Sequence, residues 1–179
     1  MSPHSPEWFQ ALPRPATEPA APCGSPACGS YTGYSSLVTD QITLTQDAER
    51  AFREAENLCW RTNTGIVAPE HLLAGCLRVL NAAGFPGLPA DERIGQALLM
   101  AQGMSEDALT QNVMFGSAAR EAVNFTARLV REAGGGEVDT LTLAYGVIQS
   151  GEVGPMFFSA LGATKAEILA ALVATNQQA

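Results

Sequence analysis

From Leu44 onward, apolar residues recur every three or four positions, the spacing that lines them along one face of an α-helix. Ala48, Ala51, Phe52, Ala55, Leu58 and Cys59 share such a face. Thr45 stands just before it as N-cap, with a hydroxyl placed to accept from a free backbone N–H. A second helix is expected from Pro69, where the missing N–H costs nothing, through Leu72, Leu73, Cys76, Leu77 and Leu80. The stretch NAAGFPGLPADE reads as a loop, because its glycines and prolines interrupt the helical spacing. A third helix from Arg93 carries Ile94, Ala97, Leu98 and Ala101 and stops at Gly103, the residue that takes a left-handed cap most easily. Ser105 caps a short fourth helix with Ala108, Leu109 and Val113.

The same order then recurs. Slid by 71 residues, Leu44 to Leu77 lies over Phe115 to Ile148 without a gap, matching Ala48 with Ala119, Ala51 with Ala122, Leu58 with Leu129, Val67 with Val138, Leu72 with Leu143 and Gly75 with Gly146. Farther on the offset falls to 59, pairing Gly95 with Gly154, Ala101 with Ala160 and Gly103 with Gly162. The 12-residue difference places an insertion at the GFPGLP loop of the first copy. Two copies of one helical unit, each too small to hide its own apolar face, should pack as a pseudo-twofold pair around a shared core. The expected architecture is all-α, with eight helices in two four-helix repeats, 44–114 and 115–175.

Residues 1–43 differ in kind. Seven of the eleven prolines fall in residues 1–26, and Gly, Ser, Thr and Tyr dominate after Cys23, so no periodic apolar face can form. This segment reads as a tail. Trp8, Phe9 and Leu12 form an apolar cluster in it, of the kind that docks in a partner's groove or packs on its own domain.

Composition narrows the function classes. With 18 acidic against 10 basic side chains, the net charge of -8 repels a phosphate backbone, and the cations are scattered, which argues against nucleic-acid binding. No stretch approaches the roughly 20 apolar residues of a bilayer span, and the Pro-broken start lacks a secretory signal, so a cytoplasmic protein without a membrane segment is expected. Four cysteines, two of them in helical patterns, make no disulfide framework, and Cys23 and Cys28 without a second Cys or His pair are a poor zinc site. No metal or cofactor is expected. Nor is catalysis: no phosphate-binding G-x-x-x-x-G-K-[ST] loop occurs, Gly162-Ala163-Thr164-Lys165 being a helix boundary with Thr164 as N-cap, and no nucleophile has a positioned base.

Leu44-Thr45, the alanines of the first helix, Pro69-Glu70-His71-Leu72-Leu73-Ala74-Gly75 and the duplicated layout together resemble the Clp amino-terminal (Clp repeat) domain, over Leu44 to about Val173. The resemblance implies a recognition module of Clp AAA+ protein unfoldases, here without the ATPase, whose partners are the unfoldase, an adaptor or client proteins. In family members that recognise phosphoarginine, a Thr at the start of the first helix and the Glu of the Glu-His pair contribute to each pocket. Those roles map onto Thr45 and Glu70; the second copy has Gly116 and Leu141 instead, with Thr142 in place of the His, so one surviving pocket is expected. Local helix-end roles explain the same two residues: Thr45 as N-cap, and Glu70 as a first-turn carboxylate favoured by the dipole. His71 reads as a packed, hydrogen-bonded histidine. Two alternatives to partner recognition remain. One is a decoy that sequesters cyclic-peptide compounds aimed at such domains, with Leu44 and Phe115 as apolar contacts. The other is a scaffold whose tail, through Trp8, Phe9 and Leu12, docks on a larger assembly.

Overall fold

The computed structural model describes residues 43–102 and 113–176. Short strands and helices alternate in it: β1 (Thr43–Leu44), α1 (Gln46–Thr62), β2 (Ile66–Val67), α2 (Pro69–Ala82), α3 (Asp91–Gln102), β3 (Met114–Phe115), α4 (Ser117–Glu132), β4 (Glu137–Val138), α5 (Thr140–Gln149), α6 (Pro155–Leu161) and α7 (Lys165–Asn176). The 71-residue offset carries α1 onto α4, β2 onto β4 and the start of α2 onto the start of α5 residue for residue. Seven of the eight expected helices lie among the described residues; the helix expected from Ser105 and the stop at Gly103 fall outside them, as does the tail up to residue 42. Thr43, assigned to the tail by sequence, already pairs in β1.

The strands are the element that helical periodicity cannot show. Each is two residues long, and each pairs in parallel with a strand of the other repeat: Thr43 with Glu137 and Leu44 with Val138, then Ile66 with Met114 and Val67 with Phe115. Single rungs of this kind satisfy the backbone groups just before a helix begins. They also bolt the repeats together at two symmetric points.

Between the bolts sits one shared core. α2 and α5 pack against each other, and nearly all of their residues are buried, as expected of helices that are apolar on every side. α1 and α4 are amphipathic and cover them, burying Ala48, Ala51, Phe52 and Ala55 in one copy and Ala119, Ala122, Val123 and Thr126 in the other. Phe52 meets Phe115 across the repeat boundary at 5.6 Å between ring centres. α3 packs on α6. The insertion loop between α2 and α3 is pinned by polar contacts: Asn81 donates to the Pro89 carbonyl and to Asp91, while Arg78 bridges Glu54 at 2.9 Å and Asp91 at 3.6 Å. α3 begins at Asp91, two residues before the expected Arg93. Thr164 and Glu167 form a reciprocal capping box at α7, the boundary role read from sequence.

Candidate functional site

Helix starts carry most of the candidate chemistry. Thr45 adopts an extended conformation and its hydroxyl accepts from the Ala48 N–H at 3.2 Å, so it is the N-cap of α1. Its own N–H donates to the Val138 carbonyl, which places it beside the start of α5, next to Asp139 and Leu141. In the mirror arrangement the Gly116 N–H donates to Val67, which places Gly116 beside the start of α2, next to Glu70.

This strand exchange separates the two residues expected to share a pocket. α1 and α2 form an antiparallel hairpin, with Thr62 at the end of α1 bonded to His71 near the start of α2. Glu70 therefore lies at the far end of the 17-residue α1 from Thr45, roughly 25 Å away at about 1.5 Å per residue. A single Thr45–Glu70 pocket does not form. The exchange brings Thr45 to the start of α5, where Leu141 stands at the position equivalent to Glu70, and brings Glu70's helix start to Gly116, which stands at the position equivalent to Thr45, so neither end repeats the Thr–Glu combination.

Glu70 instead ties the repeats together. It is 7% exposed, and both carboxylate oxygens are engaged: Oε1 accepts from the Gly154 N–H at 2.8 Å and Oε2 from the Gln102 side-chain amide at 2.8 Å. Gly154 is the N-cap of α6 and has no side chain to satisfy its own helix start. A Cβ there would stand 3.1 Å from Oε1, so glycine leaves room for the carboxylate. The aligned Gly95 lies inside α3, where its N–H belongs to the helix ladder and needs no outside acceptor; Leu141 in place of a second Glu fits that difference. Charge-assisted bonds of this kind contribute more than neutral ones. Glu70→Ala is expected to lower stability by about 2 kcal/mol by orphaning the Gly154 donor, whereas Glu70→Gln, which keeps an acceptor, should cost less than about 1 kcal/mol. Chemical denaturation of the two variants checks this; equal losses would show that the carboxylate only favours its helix dipole.

His71 is fully buried. Its Nδ1 accepts from the Ala68 N–H at 3.1 Å, so the ring proton sits on Nε2, which donates to the Thr62 hydroxyl at 3.0 Å. Thr62 passes its own proton to the Leu58 carbonyl at 3.0 Å. The ring thus supplies the reverse half of a capping box, satisfying the N–H of the N-cap Ala68, and burial lowers its pKa to about 4. In the second repeat Asp139 replaces Ala68 and caps α5 directly, Oδ1 accepting from the Thr142 N–H at 2.6 Å. Sequence inspection overlooked this substitution, although an Asp three residues before Thr142 is a legible capping signal.

The apolar candidates divide. Phe115 is buried on Phe52 and offers no open face to a ligand, and Leu44 is half-buried against the same core. Cys59 and Cys76 are buried free thiols whose pKa values burial raises. Trp8, Phe9, Leu12, Cys23 and Cys28 lie outside the described residues. A cleft of about 520 Å³ runs between α1 and α3, floored by Leu58 and Leu98 and rimmed by Arg61, Arg78, Asp91 and Glu92. Its mixed charges and apolar floor contain no paired nucleophile and base.

No family model and no curated protein matches the sequence. Among solved structures, the chain is similar to the N-terminal domain of the caseinolytic protease associated chaperone ClpD from Arabidopsis thaliana, with a TM-score of 0.58 at 15% identity, over 73% of this chain and 95% of that one. The fold is that of a Clp amino-terminal domain.

Proposed function

We propose that this chain is a non-catalytic protein-recognition module of the cytosol, which binds a Clp AAA+ unfoldase, its adaptors or its clients and so regulates proteolysis without hydrolysing ATP. The observation that supports this most is the match in fold to nearly the whole of a Clp chaperone's N-terminal domain, with both repeats present. Fold alone does not assign function. The chemistry of the described residues is compatible with this reading, since polar groups at the helix starts are engaged in capping their own helices, as at His71 and Asp139, or in joining the repeats, as at Glu70.

Affinity capture on the full-length protein, at several salt concentrations, is expected to recover a Clp unfoldase, an adaptor or a client, with no nucleotide bound by the module itself. Recovery of none of these would defeat the proposal. Because Thr45 and Glu70 lie apart, phosphoarginine titration is expected to give no saturable heat.

A further inference from the structure

The two strand pairs are related by the repeat yet differ in what they show to solvent. At one, Thr43 and Glu137 are exposed partners in register. At the other, the equivalent positions are Met114 and Ile66, also in register, 60% and 54% exposed. Thus a polar, acidic rung in one place becomes an apolar rung in the other. The change extends to the adjoining helices, because Glu49 of α1 corresponds to Arg120 of α4, and α4, unlike α1, has no acidic residue in its first turn.

Arg120 is held at this rung. Its Nε donates to the carbonyl of Phe115, the residue after Met114, at 3.0 Å, which leaves the outer edge of the guanidinium, the fork formed by its two Nη groups, for another acceptor. The carboxylate of Glu70, on the helix that follows Ile66, is buried with both oxygens occupied. Glu121 is the next residue along α4, about 100° around the helix. Gly116 keeps the surface flush between the two features, since a Cβ there would come within 3.0 Å of Ile66 Cγ2.

We propose that the Ile66–Met114 rung and Arg120 form a docking surface for a protein segment that presents an apolar side chain beside a carboxylate. Charge complementarity selects the occupant: the guanidinium fork matches a carboxylate bidentately, and the flexible Met114 adapts to apolar side chains of different shape. The surface rests on the recognition function proposed above and gives it a location and a partner chemistry.

The probe is a fluorescein-labelled peptide with a Leu-Phe-Asp-Leu core flanked by Gly and Ser, titrated against the full-length protein by fluorescence polarisation. Saturable binding is expected. Replacing the probe's Asp by Asn, or making Arg120→Ala, should each weaken it about tenfold or more. The double variant Ile66→Ser with Met114→Ser should remove it, and Arg50→Ala on α1 should leave it unchanged. Both altered residues are exposed, and matched melting temperatures would confirm that the fold survives. Failure of the Asp probe to bind, or undiminished binding by Arg120→Ala or the double variant, overturns the proposal. Affinity capture separates the two levels. A Clp partner recovered equally by wild type and double variant refutes this surface and leaves the recognition function standing, whereas a partner lost only from the double variant supports both.

Discussion

Gly75→Ala is expected to destabilise the protein by about 3 kcal/mol or more, the penalty of forcing volume into a contact that cannot yield. A Cβ at this position would run into the Ala51 carbonyl oxygen and approach the Ala55 nitrogen to 2.9 Å. Both are backbone atoms of α1, so no rotamer change can relieve the overlap. The α1–α2 hairpin must open, and each fraction of an ångström of separation weakens dispersion contacts along the whole crossing. Alanine's better helix propensity returns only about 1 kcal/mol. Gly95 supplies the internal control: it is also a helix-interior glycine, with nothing within 4 Å of its would-be Cβ. Gly95→Ala should therefore stabilise by about 0.5–1 kcal/mol. Melting temperatures of the two variants should move in opposite directions, Gly75→Ala downward by on the order of 10 °C. A small or upward shift for Gly75→Ala would mean that the helices are not in contact there.

That contrast also marks what the sequence made legible. The match of Gly75 with Gly146 was legible as part of the repeat, but its reason, a close approach of the preceding helix to each glycine, is a finding of the structure. Helix starts were equally readable where a side chain does the capping, as at Thr45 and Thr164. The strand exchange was not readable. Two-residue strands carry no periodicity, and their partners lie 94 residues away in one pair and 48 in the other by register.

The candidate site failed for that reason. Thr45 and Glu70 belong to one repeat in sequence, yet parallel pairing sends each to the other repeat's helix start. Likewise, the acceptor role of Glu70 toward Gly154 spans 84 residues and depends on α6 beginning where α3 has already completed a turn. A first-turn glutamate looks alike in sequence whether its carboxylate faces water or a buried N–H.

Acid should expose the cost of using a histidine as a helix cap. His71 titrates at about 4 when folded, against 6.5 when free, because a buried ring whose Nδ1 is already accepting from Ala68 has no favourable way to add a proton. A depressed folded pKa means that the unfolded chain takes up the proton first. Stability from this residue is therefore complete above pH 6.5 and falls as the pH drops toward 4, by about 2 kcal/mol at pH 5 and about 3 kcal/mol in all. Ordinary carboxylates titrate mostly below this window. Glu56, held above the usual carboxylate range by burial, acts in the opposite sense. His71→Gln isolates the histidine's share, since a glutamine at the third helical position can still accept from the Ala68 N–H and carries no titrating group. Urea unfolding of both proteins between pH 7.5 and 5 should show a steep loss for wild type and a nearly flat response for the variant. Parallel curves would assign the acid sensitivity to other groups, and an NMR titration placing the His71 ring near 6.5 in the folded protein would refute the cap.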